Sequence, residues 1–358
     1  MNEGLDESVW ISDEPVDIDF SIDPERLSVA MKLNGLATLT DLADASGVSD
    51  STLRNIMKGR SSGSHRTLDQ LSSAFRLPAT FLTTKGVPKV AAVSFRSRNR
   101  KLIIEHERFA GFAAALGIFA AFLLGSRAGT MRSEPPVPLL PFPPDGAPEA
   151  NARLLREHLG ISDETPIADT IALAESLGVL VAFGPSEIKV IDSFCAWIGT
   201  RHSIVLNSAH EHVLRRRLDT VHEIGHLLMH PQPERYSTAR LEDQAFRFAT
   251  ALLFPPTGKN MTRLHNAILD NSTEPLLNIQ EEWGISAHAL LQVARRYLQK
   301  KALIDARITK EAELDSDPER YFRTRWGANG SESPRILADA AEALELRFER
   351  SIASLARA

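Results

Sequence analysis

The sequence predicts a mainly α-helical chain with a small β-sheet, an α+β fold built from separate modules. Three observations carry this expectation. Residues 21–83 break into short runs flanked by helix-capping residues. Residues 179–206 hold three short apolar runs of strand length. Beyond residue 213, two amphipathic runs of helical period each stop at a pair of prolines.

At 358 residues and 43% hydrophobic content, the chain has material for two or three domains with proper cores. Its one cysteine, Cys195, excludes an intramolecular disulfide framework and fits a reducing cytoplasm. Cys195 lies in the run Phe194-Cys195-Ala196-Trp197-Ile198 and reads as core rather than as a nucleophile. The N-terminus is acidic and lacks the charged-then-apolar pattern of a signal sequence, so a cytoplasmic location is expected.

The formal net charge of −5 is unevenly spread. Residues 1–20 carry seven acidic and no basic side chains, the pattern of a disordered tail. Residues 50–132 carry 14 Lys/Arg against 4 Asp/Glu, which suggests a polyanionic partner.

Residues 21–83 read as four or five short helices. Asp23-Pro24-Glu25 combines a cap, a proline at the first helical position and a first-turn acid. Thr38 and Asp41 form a capping-box variant, and Gly47 closes that helix. Ser49 caps the next, through Leu53 and Ile56 to Gly59. Two short helices joined by a Gly-containing turn make a helix-turn-helix. The early residues of its second helix would face base edges in the major groove of double-stranded DNA. Asp50, Ser51, Thr52, Arg54 and Asn55 are the candidate readers; Lys58, Arg60 and Arg66 suit phosphate contacts.

Phe109 to Leu124 is an unbroken apolar run of 16 residues, short of the roughly 20 that a membrane span needs. It reads as a buried or dimer-forming helix, with Ala110 and Ala114 small enough for close packing, so a homodimer is an option and a membrane is not. Residues 133–148 contain seven prolines and read as a semi-rigid extended linker. A second module starts near Glu149. Ala152 to Leu159 and Ile167 to Leu177 are helical by pattern, each closed by a glycine. Val179 to Phe183, Ser193 to Ile198 and Ser203 to Leu206 read as strands, and a sheet edge can hold an extended peptide.

His222-Glu223-Ile224-Gly225-His226 is the most informative stretch. On a helix, residues four apart share a face, so both imidazoles can reach one metal ion, with Glu223 beside them as general base for a water. The helix continues to His230, read as a C-terminal-turn cation near the helix dipole or a group supporting the ligands, and Pro231 and Pro233 end it. A further helix is expected over Leu241 to Phe254. Glu242 in its first turn, or Asp243 about 100° further around, would return over the metal face as third ligand. Three protein ligands and an open fourth position are what a catalytic Zn2+ needs. Tyr236, His202 and Arg217 are options for stabilising an oxyanion. Residues 285–306 read as one more amphipathic helix.

Residues 26–82 resemble an Xre-type helix-turn-helix, in Leu42-Ala43, Ser46-Gly47-Val48-Ser49 and Lys58-Gly59. Residues 90–300 resemble the ImmA/IrrE family of metallopeptidases. That resemblance is carried by Val93-Ser94-Phe95-Arg96-Ser97, Ser203-Ile204-Val205-Leu206-Asn207, Arg216-Arg217-Leu218 leading into the His/Glu motif, Glu242-Asp243-Gln244-Ala245-Phe246-Arg247-Phe248-Ala249, and Leu252-Leu253-Phe254-Pro255. It implies a zincin-like metallopeptidase domain after the helix-turn-helix bundle. It also implies Glu242 rather than Asp243 as third ligand, Glu223 as catalytic base, and a regulatory protein such as a repressor as substrate. Leu39 and Phe246 depart from the family, which usually has Gln and Asn there.

The expected organisation is an acidic tail over 1–20, a DNA-binding domain over 21–86, a basic and apolar connector with its Pro-rich linker over 87–148, a metallopeptidase domain over 149–306 and a C-terminal helical region over 307–358. The functions consistent with it are a DNA-binding regulator with a zinc endopeptidase domain, or a transcriptional regulator whose peptidase-like domain only senses or binds a partner. A third is a peptidase that its DNA-binding module delivers to a repressor.

Overall fold

The computed structural model describes residues 20–87, 90–92, 100–126, 146–184, 193–198, 201–208, 212–230, 237–270, 272–298, 304–305, 332–339 and 342. Residues 1–19, most of the Pro-rich linker, Val93–Ser97 and most of 307–358 lie outside them. Two compact units form. One holds residues up to Gly86 apart from Lys32–Gly35; the other holds Lys32–Gly35 and everything from Val87 on. Among the described residues no helix is long and apolar enough to cross a membrane.

The described residues of the first unit form five short helices: α1 (Pro24–Leu33), α2 (Leu39–Ser46), α3 (Asp50–Met57), α4 (His65–Phe75) and α5 (Ala79–Thr83). Local hydrogen bonds set their ends. Asp23 Oδ1 accepts from the Arg26 amide at 3.0 Å. Thr38 and Asp41 form the reciprocal capping box, with Asp41 Oδ2 accepting the Thr38 amide at 2.8 Å. Gly47 ends α2 at φ +69°, a left-handed conformation in which any other residue type except Asn or Asp would be strained. Ser49 then caps α3. Leu27, Leu42, Leu53, Ile56, Leu71 and Leu82 are fully buried and join these helices in one core. Leu39 is half-buried against that core.

The second unit is a sheet with helices against it. It contains β1 (Val90–Ala92), α6 (Arg100–Ser126), α7 (Pro148–His158), α8 (Thr170–Ser176), β2 (Leu180–Gly184), β3 (Ser193–Ile198) and β4 (Arg201–Asn207). Then come α9 (Val213–Met229), α10 (Thr238–Leu253), α11 (Gly258–Leu269), α12 (Glu274–Trp283) and α13 (Ala287–Tyr297). The sheet order is β1-β3-β4-β2. β3 and β4 form an antiparallel hairpin, with Cys195 opposite Ile204, while β2 runs parallel to β4.

Three expectations change here. Residues 87–148, read as a connector, contribute β1 to the sheet and α6 to its cover. α6 contacts all four strands and buries Ala113, Ala114, Leu116 and Ala120, so its small residues serve packing within its own unit. α10 begins at Thr238 rather than Leu241, because Ser237 adopts the extended N-cap conformation and starts the helix a turn early. The last amphipathic helix stops at Tyr297, where Leu298 turns extended.

α9 packs against α8, α10, β3 and β4. Val221, Ile224 and Leu228 meet Phe248, Ala249 and Leu252 in a core that continues to Phe254 and Trp283, whose rings meet edge to face at 5.3 Å. Arg217 pins the root of α9. Its fully buried guanidinium donates to the carbonyls of Gly284 (2.9 Å), Ile167 (2.6 Å) and Ala168 (3.3 Å) and pairs with Glu332. Glu332 also accepts from the Thr170 hydroxyl. Removing one partner of a buried pair strands the other charge. Glu332→Ala is therefore expected to destabilise the protein by about 3 kcal/mol or more in urea unfolding, with Glu332→Gln closer to wild type. Equal midpoints for Glu332→Ala and wild type would show that the pair contributes nothing.

Candidate metal centre

The i, i+4 spacing on α9 stacks His222 and His226 on one face, with Nε2 atoms 3.1 Å apart. α10 returns alongside and brings Glu242 to them. His222 Nε2 lies 3.1 Å from Glu242 Oε2, and His226 Nε2 lies 3.5 Å from Glu242 Oε1. Among the described residues this trio is the group of His, Cys, Asp and Glu side chains that can hold a metal ion. The fit to zinc can be tested on these distances. Zinc–ligand bonds of roughly 2.0–2.1 Å in a tetrahedron put ligand atoms roughly 3.3 Å apart. The separations, two of them measured to different oxygens of the one carboxylate, bracket that value, and two imidazole nitrogens with a carboxylate are a zinc donor set.

Exposure rises across the trio. His226 is buried, His222 half-buried and Glu242 half exposed, so the open side of the site lies toward Glu242. The imidazoles of His222 and then His226 beside it hold the Glu242 carboxyl well below the usual carboxylate range. Asp243 is turned away. Its Oδ1 accepts from Arg296 Nη2 at 2.6 Å, and Arg247 lies 3.8 Å from its Oδ2. Arg247 itself grips Glu149 with two N–H groups at 2.8 and 2.7 Å, tying α10 to α7. Phe246 is half-buried.

Glu223 follows His222 on α9 and is buried at 5% exposure. The Ser193 hydroxyl at the start of β3 donates to its Oε1 at 2.6 Å. Cys195, two residues along the same strand, is buried, and burial and the neighbouring Glu223 push its thiol far up. That disfavours a thiolate and fits the core reading.

Of the two parts expected of His230, its contacts fit the group supporting the ligands. His230 caps α9 at 1% exposure, and burial pushes its imidazole down to about 4, so it carries no charge at neutral pH. Its Nδ1 lies 2.9 Å from His226 Nδ1, and its Nε2 lies 3.2 Å from Gln244 Oε1.

Of the three oxyanion options, Arg217 is committed to carbonyls and Glu332 inside the core. His202 is half-buried on β4, with its imidazole pushed down to about 4 by burial. Tyr236 lies outside the described residues, as do Pro231 and Pro233. Ser193 and Gln244 were not among the sequence candidates. Ser193 gives no local signal, because its contact crosses from strand to helix. Gln244 did carry one: it is a polar residue on the apolar face of α10, three residues after Leu241 and four before Phe248.

Residues 174–294 match the family model of the IrrE N-terminal-like domain, Peptidase_M78. The match runs from α8 into α13 and contains Ser193, the His/Glu motif, His230, Glu242 and Gln244. It supports a metallopeptidase-like domain in this stretch, from a family that is typically metal-dependent. No curated protein matches the chain.

In the first unit, Ser51, Arg54, Asn55, Lys58, Arg60 and Arg66 are exposed, while Leu53 and Ile56 on the other side of α3 are buried. Asp50 pairs with Arg54 at 2.6 Å, and the Thr52 hydroxyl lies 2.8 Å from that of Ser49. Ser51 is likewise 3.0 Å from the Ser49 hydroxyl, and the exposed polar row is Ser51, Arg54, Asn55 and Lys58.

Proposed function

We propose that the chain is a zinc-dependent endopeptidase joined to a DNA-binding module, and that it cleaves a regulatory protein such as a transcriptional repressor. The observation that carries this reading is the spacing of His222, His226 and Glu242 at tetrahedral-edge distances, with a buried carboxylate at the adjacent position. His222 and His226 would bind through Nε2 and Glu242 through its carboxylate. Zinc bound there supplies a Lewis acid for the scissile carbonyl and makes a nearby water more acidic. Glu223 takes the proton of the attacking water and passes it to the leaving amine. Ser193 holds the carboxylate of Glu223 in place. A pure sensing or binding domain has no need of that base, which favours catalysis over the partner-binding reading.

The test is metal content by mass spectrometry after zinc-replete purification. About one zinc per chain is expected, with loss in both His222→Ala and Glu242→Ala. No zinc in the wild type would overturn the reading and leave a binding role.

For the first unit, the exposed row on α3 and the surrounding basic charge support DNA binding. Arg54→Ala would remove a base-edge contact, at a cost of about 1–3 kcal/mol on the preferred sequence alone. Lys58→Ala should weaken all duplexes alike and lower the salt dependence by about one ion. Fluorescence anisotropy against a selected duplex pool reads both. No retention of any duplex at low salt would contradict this part.

A further inference from the structure

We propose that His230 and Gln244 are positioning residues that set the tautomer of His226 and so present its Nε2 lone pair to the metal. The inference rests on His226 being a zinc ligand through Nε2. His226 Nε2 faces His222 and Glu242, so its other nitrogen, Nδ1, must carry the proton in the neutral ligand form. That Nδ1 lies 2.9 Å from His230 Nδ1. Two N–H groups cannot face each other at this distance, and two lone pairs would repel, so one nitrogen donates and the other accepts.

Gln244 decides which. Its Oε1 lies 3.2 Å from His230 Nε2, and an amide oxygen only accepts. His230 therefore carries its proton on Nε2 and leaves Nδ1 as an acceptor. His226 then donates from Nδ1 and keeps Nε2 free. One acceptor on α10 fixes the proton positions of two rings on α9. His226, His230 and Gln244 are all at most 9% exposed, so water is a poor substitute for any link.

The arrangement gives α10 two tasks at one site. It supplies Glu242 directly and, through Gln244, orients a ligand on the neighbouring helix. Metal-binding histidines generally donate their second N–H to a carboxylate, carbonyl or water. Here a second imidazole relays that demand to a side-chain amide.

The experiment uses the full chain, zinc competition against a chromogenic chelator, and long-range 1H–15N spectra of the histidine rings. In the wild type, His226 is expected to be protonated at Nδ1 and His230 at Nε2. Gln244→Leu removes the acceptor and should weaken zinc binding by about 10–100-fold while the His230 protons redistribute. Gln244→Glu keeps an acceptor and should restore both. Matching unfolding of the metal-free proteins separates this from misfolding. A proton on His230 Nδ1 in the wild type, or wild-type zinc affinity in Gln244→Leu, would overturn the proposal. If the wild type takes up no zinc, the metal reading fails by itself, and the tautomers of the metal-free protein still decide the hydrogen-bond chain.

Discussion

Glu223→Gln is expected to lower cleavage by about 10²–10⁴-fold while zinc binding stays within a few-fold of wild type. The amide keeps the size of the carboxylate and can still accept from Ser193, so the buried neighbourhood persists. It cannot take a proton from water at neutral pH. Turnover of a mixed peptide library, measured beside zinc content, separates the two effects. Retained cleavage would remove Glu223 from the mechanism. Joint loss of cleavage and zinc would assign it to holding the metal instead.

Gly225→Val is expected to damage fold and site together. Gly225 lies between Glu223 and His226, on the side of α9 that meets α10. A Cβ there would stand 2.9 Å from Phe248 Cδ1, 3.4 Å from its Cγ and 3.5 Å from the Ala245 Cα. Phe248 is fully buried and has no room to swing away. The helices must part, and Glu242, six residues before Phe248 on α10, moves with them. Overpacking of this kind costs about 1–3 kcal/mol, and the displaced carboxylate should bind zinc more weakly. Gly225→Ala should show the same trend to a smaller degree. Urea unfolding and chelator competition measure both quantities. Wild-type zinc affinity in a stable Gly225→Val protein would show that the close approach of α9 and α10 does not set the ligand geometry.

The parts of this site that were legible in the sequence are those set by local geometry. His222, Glu223 and His226 fall together because one turn of helix brings them together. Asp23, Thr38, Asp41 and Ser49 announce helix starts through hydrogen bonds spanning three residues. Glu242 was reachable because a second amphipathic helix follows α9 closely and returns along it. Choosing it over Asp243 needed more than spacing, since what turns Asp243 away is Arg296, 53 residues distant.

Contacts that depend on packing between layers were not legible. The bond from Ser193 to Glu223 joins a strand to a helix 30 residues on, and the bond from Gln244 to His230 crosses between helices. His230 stayed open between a C-terminal-turn cation and a group supporting the ligands, because its partner Gln244 comes from α10. The apolar run of α6 announced burial without saying that the sheet is what it covers, and the three residues of β1 are too few to show a period. α11 and α12 were not among the expected helices, although Thr257 caps the first and Gly284 closes the second.

Proteome-wide profiling of protein N-termini, in zinc-replete cells making either the wild-type chain or Glu223→Gln, tests the central claim most directly. The account predicts new N-termini in one or a few regulatory proteins with the wild type and none of them with the variant. Identical profiles from equal amounts of zinc-loaded protein would contradict it and leave the domain as a binding module.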